Sequence, residues 1–180
     1  LFVWGDEMQF HVQETMSKAL KTSIDEQLDV SSLFQGRQDV GSAGPLHVSL
    51  QVTGHEGFIA ADGELAIDLE QACSRCLEPV RSHIVIPFSE MFKPTDAKIV
   101  SEQYTEDEIS DFVEVETDRL DLVPYVNEAI ELSIPYAPLC SEDCKGLCPS
   151  CGQNLNQQTC SCDTGKIDVR FAALKDLFKE

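Results

Sequence analysis

The eight cysteines are the residues with the most chemistry to offer, and their spacing sorts them into groups. Cys140, Cys144, Cys148, Cys151, Cys160 and Cys162 follow the pattern C-x3-C-x3-C-x2-C-x8-C-x-C, and Cys73 and Cys76 repeat C-x-x-C in the earlier segment ACSRCLEP. Two thiolates separated by two residues can grip one ion, and in Cys148-Pro149-Ser150-Cys151-Gly152 the glycine lets backbone N–H groups turn toward sulfur. Zinc takes four such ligands in a tetrahedron with Zn–S near about 2.3 Å. The x8 spacing is enough chain for a tight hairpin that brings Cys160 and Cys162 back to the ion of Cys148 and Cys151. That leaves Cys140 and Cys144 to close a second site with Cys73 and Cys76. The competing partition is a single site of Cys144, Cys148, Cys151 and one of Cys160 or Cys162, the other cysteines being free. The expected cofactor is therefore zinc, one or two ions, with all eight cysteines as candidate ligands.

Thiolates also hold iron–sulfur clusters, but knuckles carrying Pro and Gly favour zinc. A catalytic zinc keeps an open position with His or a carboxylate in its shell, whereas four cysteines close the site. Neither Cys73 nor Cys148 lies between a strand and a helix in the way a thioredoxin-like dithiol does. His11, His47, His55 and His83 are isolated, and the chain has no phosphate-binding Walker loop, dinucleotide fingerprint, H-E-x-x-H or nucleophile elbow. The expectation is a protein with no catalytic residues and no small-molecule substrate.

The elements that must position the cysteines are mostly strands. In LHVSLQV, Leu46, Val48, Leu50 and Val52 alternate with polar residues at period two. Weaker alternation covers residues 9–12 and Ile24 to Val30, with a helical turn predicted in MSKALK between them. Residues 35–45, QGRQDVGSAGP, read as a loop. Phe58–Ala60 and the run Leu65, Ile67, Leu69 are strands interrupted by a turn or bulge at Asp62-Gly63. Cys73 and Cys76 follow at a strand end, and Ile84, Ile86 and Phe88 begin the next strand. FVEVE is a further short strand, followed by a helix in which Val123, Val126, Ile130 and Ile134 recur at helical spacing. Asp121 is the predicted cap of that helix, Pro124 sits in its first turn and Pro135 ends it. A last helix starts at Asp168 and carries a stripe of Phe171, Leu174, Leu177 and Phe178. The predicted class is α+β: an antiparallel β-sheet meander with a few helices and a C-terminal Cys-rich zinc-binding segment.

The domain expectation follows. Residues 1–7, LFVWGDE, precede Met8 and read as an upstream extension or an expression remnant. Residues 8–135 form the sheet domain, with a mobile acidic loop at about 93–111. Residues 136–180 form the zinc-binding segment and a C-terminal helix packed on the sheet domain. The absence of a long apolar run and of a signal-peptide pattern points to a soluble cytoplasmic protein that makes no use of a membrane, a compartment where thiols stay reduced.

The chain is strongly acidic: 13 basic and 32 acidic residues give a formal charge of −19. Residues 96–131 alone hold twelve acidic side chains against Lys98 and Arg119. Such a charge opposes a direct grip on nucleic-acid phosphates and speeds encounter with cationic partners. The candidate partner-binding residues are Glu106, Asp107, Glu108, Asp111, Glu114 and Glu116.

ACSRCLEP at 72–79, EAIELSIPYAPLC at 128–140, CKGLCPSCGQNLN at 144–156 and the closing C-x-C before IDVRFAALKDL together resemble the bacterial YceD family, which has plant relatives in chloroplasts. The resemblance runs from about Met8 onward. It implies a ribosome-assembly factor for accumulation of large-subunit (23S) ribosomal RNA, acting as a binding protein and not an enzyme. Family genes commonly neighbour that of a small basic large-subunit ribosomal protein. Combined with the charge, this makes such a protein, or a pre-ribosomal particle, the expected partner, with any rRNA contact indirect. The alternative is a zinc-dependent RNA-binding module whose local basic patch is Arg75, Arg81, Lys145 and Lys166. A thiol-redox protein is a third reading.

Overall fold

The computed structural model describes residues 8–95 and 112–162. These fall into two compact units: residues up to Gln71 with Arg81–Tyr136, and Ala72–Val80 with the residues from Ala137 onward.

The first unit is built on a mixed sheet. In chain order come β1 (Gln9–His11), α1 (Val12–Ser17), β2 (Lys21–Leu28), a 3-10 turn (Ser31–Phe34), β3 (Val40–Ala43), β4 (Leu46–Gly54), β5 (Ile59–Ala72), β6 (Pro79–Pro94), β7 (Val113–Val115), β8 (Arg119–Asp121) and α2 (Val123–Ser133). The main sheet runs β2-β4-β5-β6-β7, with β3 also on β5, while β1 and β8 form a separate antiparallel pair. β2 and β4 are antiparallel from Lys21↔Thr53 to Leu28↔Leu46, and β4 pairs with the first half of β5 from Gly54↔Ile59 to His47↔Ala66. β3 then takes the second half, Val40↔Gln71 to Ala43↔Leu69.

The alternation in β4 does what its sequence implies: Leu46, Val48, Leu50 and Val52 are buried. They join Leu65, Ile67 and Leu69 of β5, Phe88 and Phe92 of β6, and Val126 and Ile130 of α2 in one core. Burying each of the two helix residues stabilises the unit by about 1.5–3 kcal/mol. Phe92 adds an edge-on contact to Tyr125, ring centroids 4.8 Å apart. Asp121 Oδ1 accepts a hydrogen bond from the Val123 N–H at 3.0 Å, so the predicted cap serves the helix start although Leu122 is the formal cap residue.

Several expectations are corrected. The sheet is not purely antiparallel, because β7 lies parallel to β6 (Phe92↔Val113, Pro94↔Val115). The stretch 35–45 is not all loop: β3 lies within it, paired through a bulge between Val40 and Ser42 that needs no apolar alternation. The first helix is Val12–Ser17 rather than a turn in residues 16–21, because Val12 and Thr15 are its buried residues and Lys21 already opens β2. Asp62-Gly63 does not break β5, which runs through it in register with β4. Lys93 and Pro94, placed in the acidic loop from sequence, belong to β6, where Lys93 Nζ pairs with Glu114 at 3.2 Å. The remainder of that loop and the helix expected from Asp168 lie outside the described residues.

Candidate metal centre

The second unit opens on the turn joining β5 to β6. Cys73 N–H donates to Glu78 O at 2.8 Å and Leu77 N–H to Cys73 O at 2.9 Å. The later knuckle repeats this geometry: Cys148 N–H donates to Gln153 O at 2.8 Å and Gly152 N–H to Cys148 O at 2.8 Å. Both turns need a left-handed residue after the second cysteine, Leu77 (φ 62°) in one and Gly152 (φ 74°) in the other. Glycine adopts that conformation freely, whereas leucine does so at a cost of about 1–2 kcal/mol.

The turns bring the cysteines together in two sets, Cys73, Cys76, Cys140 and Cys144 in one and Cys148, Cys151, Cys160 and Cys162 in the other, with the sulfurs of each set within 4.8 Å of one another. This is the two-site partition, and Cys144 stands apart from Cys148 and Cys151 as the single-site alternative would not have it. Cys73 Sγ lies 3.8 Å from Cys144 Sγ, and Cys76 Sγ 3.6 Å from Cys140 Sγ. A tetrahedron with metal–sulfur bonds of about 2.3 Å has sulfur–sulfur edges of about 3.8 Å, so the donor set fits a four-coordinate ion. All eight cysteines are free of disulfides. The first set is the more buried, with only Cys140 exposed; in the second, Cys148 alone is buried.

Hydrogen bonds prepare the thiolates. For Cys73, burial opposes charge, but the N–H groups of Cys76, Arg75 and Cys140 outweigh it and bring the thiol down to about 6. For Cys148, the N–H groups of Cys151 and Ser150 lead in lowering it to about 6. Cys144 is lowered too: burial opposes this, and the Asn156 amide and the Gly146 N–H reverse it. Cys76 gains from the Glu78 N–H but is pushed up to about 12 by burial and by the sulfurs beside it. Cys140 is raised, chiefly by its bond to Cys144. Cys162 is pushed up to about 12, chiefly by Cys151 and burial.

Metal ligation requires all four thiolates, so the raised thiols must lose protons on binding. In the first set Cys76 and Cys140 are raised while Cys73 is brought down to about 6, so fewer than four protons per ion should be released there at neutral pH. Affinity accordingly rises with pH. Calorimetry of the metal-free protein in buffers of different ionisation enthalpy checks this; release of four protons per ion would show that the N–H groups do not preset Cys73.

Residues outside the cysteines complete the centre, and their spacing in the chain suggests other roles or none. Arg75 donates its Nη1 to Glu142 O at 3.2 Å and Cys144 O at 2.9 Å, and its own carbonyl accepts from Leu147 N–H at 3.1 Å. Its guanidinium, expected in a basic patch, is thus spent on carbonyls. Arg81, in the first unit, pairs with Glu70 at 2.8 Å, and Lys166 lies outside the described residues. Gly146 (φ 73°) passes so close to Arg75 that a Cβ would sit 3.0 Å from its carbonyl oxygen. Asn154, Asn156 and Glu78 carry no ligand signal and are legible in the sequence only as polar loop residues. Of the acidic residues named for partner binding, Glu114 is on β7 and paired with Lys93, Glu116 is exposed, and Glu106, Asp107, Glu108 and Asp111 lie outside the described residues.

The family model described as large ribosomal RNA subunit accumulation protein YceD matches residues 61–178, a span that contains both cysteine sets. The chain belongs to the YceD family. An uncharacterized protein of Mycobacterium tuberculosis is 31% identical over 132 residues, covering 73% of this chain and 61% of that one. The chain therefore spans about three fifths of the mycobacterial relative's length. The large ribosomal RNA subunit accumulation protein YCED homolog 1, chloroplastic, of Zea mays is 26% identical over 159 residues, covering 75% of this chain and 54% of that protein. The Bacillus subtilis protein YlbN is 28% identical over 159 residues, with 87% and 88% covered. No solved structure matches the chain significantly. Among the described residues, no helix is long and apolar enough to cross a membrane.

Proposed function

We propose that this YceD-family chain is a non-catalytic assembly factor required for accumulation of large-subunit (23S) ribosomal RNA, working in the cytoplasm through a protein partner. Membership of the family carries this reading, together with the names of its plant relatives. Both cysteine sets hold zinc in a structural role: each supplies four sulfurs, which fill a tetrahedral shell and leave no position for substrate. The acidic stretch 96–131 suits a basic large-subunit ribosomal protein, whose charge it would screen before that protein meets RNA. Direct RNA binding has less support, since Arg75 and Arg81 are engaged within the chain.

Depletion should lower the large-subunit peak in ribosome profiles and the amount of its rRNA. The tagged chain should retain a basic large-subunit protein at low salt and release it by about 0.5 M salt, where the screening length falls to a few ångströms. Retention of rRNA fragments without any ribosomal protein would overturn the partner assignment.

A further inference from the structure

The two cysteine sets are not independent pieces of chain. The loop between Cys151 and Cys160, which must close for the second set to form, runs back along residues 144–148. Leu155 N–H donates to Gly146 O at 2.9 Å, and Leu147 and Asn154 form an antiparallel bridge. From this loop Asn156 reaches the first set: its Nδ2 donates to Cys144 Sγ at 3.2 Å while its Oδ1 accepts from the Lys145 N–H at 2.8 Å. The backbone donor fixes which way the amide faces, since only Oδ1 can accept from Lys145 and the NH2 is left pointing at sulfur. Asn154 braces this arrangement by accepting from Asn156 N–H at 3.0 Å and donating to Glu78 Oε1 at 3.2 Å. Gln157 Nε2 donates to the same Glu78 oxygen at 3.0 Å. Glu78 belongs to the turn that carries Cys73 and Cys76.

We propose that Asn156 is a positioning residue for the first metal site, delivered by the loop of the second, so that filling the second site tightens the first. This rests on the reading that both sets hold metal. A hydrogen bond donated to a thiolate ligand spreads its charge and fixes its direction, and loss of such outer-shell partners costs about 10–100-fold in metal affinity. Asn156 is itself exposed, which places its effect at the lower end, about tenfold. Coupling between two sites is reciprocal, so the first site tightens the second by the same factor.

Cobalt(II) titrations against a competing chelator, read by thiolate-to-metal absorption, test the idea with cadmium NMR as a second readout that resolves the two sites. Asn156→Asp keeps an acceptor for Lys145 and loses the donor to Cys144. It should weaken the first site about tenfold and move that site's cadmium resonance, with two ions still bound. Removing the second site with Cys160→Ser and Cys162→Ser should weaken the first by a similar factor. In the Asn156→Asp background, the same removal should cost the first site less than about twofold, the mark of a shared route in a mutant cycle. An unchanged first site in Asn156→Asp, or equal losses in both backgrounds, overturns the inference alone. Failure of the unaltered chain to bind two ions overturns the metal reading beneath it.

Discussion

Stripping metal from the folded chain with a strong chelator is expected to unfold the second unit while the sheet unit keeps its structure. Within residues 72–80 and 137–162 the apolar cluster is small: Cys73, Cys76 and Cys144 with Val80, Leu139 and Leu147 around them. Three of these six are cysteines of the first set. The segment 137–162 has no helix, and the Leu147–Asn154 bridge is its one β pairing. Small units bury too little surface for an ample stability margin, and structural zinc supplies about 10–16 kcal/mol of binding energy that becomes folding energy. Amide NMR signals of residues 137–162 should collapse to random-coil positions on chelation and return with zinc. Those of β4 and β5 should stay, because no cysteine belongs to their core. Cys73→Ser should lower the metal content from two ions to one and destabilise the unit more than Cys151→Ser. Cys73 is fully buried and accepts the Cys140 N–H at 3.4 Å, whereas Cys151 is exposed. Retained dispersion of the 137–162 signals in metal-free protein would remove zinc from the account of this unit's fold.

The grouping of the cysteines is partly legible in the sequence because it depends on local spacing. A C-x-x-C pair can face one ion, and eight intervening residues allow a hairpin, so spacing favours grouping Cys148, Cys151, Cys160 and Cys162 but leaves open a single site with Cys144, which only the folded turns set apart. The strands with strict alternation are legible for the same reason: Leu46 to Val52 declare which face is buried. What escapes the sequence depends on backbone pairing or on neutral side chains. β3 pairs through N–H and C=O groups across a bulge, so Val40–Ala43 gives no periodic pattern. β7 is only three residues long, too short for its alternation to declare the direction in which it pairs with β6. Arg75 reads as a basic surface residue because nothing in its spacing reveals the carbonyls of Glu142 and Cys144 beneath its guanidinium. Asn156 is overlooked because an amide is not a ligand; only the closed loop shows that it faces sulfur.

Gly63→Ala should be among the most damaging single changes in the sheet unit, although Gly63 is surface-exposed and reads from sequence as part of a turn or bulge. Gly63 stands opposite Leu50 in the β4–β5 ladder with φ at 156°, and a Cβ added to it would fall 2.1 Å from Ser49 O and 2.9 Å from Leu50 Cα. Both atoms are backbone, so no rotamer change relieves the clash, and β4 must move away from β5 at the centre of the sheet. That displacement would unseat Leu50 and Leu65 on the core face and break ladder hydrogen bonds on either side. The combined cost is expected to exceed about 4 kcal/mol, the range reached when strain and core packing fail together. Gly57 supplies the contrast: it also has a positive φ, 91°, yet has no atom within 4 Å of an added Cβ. Gly57→Ala should therefore cost only the conformational strain, about 1–2 kcal/mol. Urea unfolding followed by a sheet-unit probe separates the two, since the difference should appear in the midpoint with little change in slope. Equal midpoints would mean that β4 and β5 can part locally at Gly63, and that the register through Asp62 and Gly63 is not what holds the centre of this sheet together.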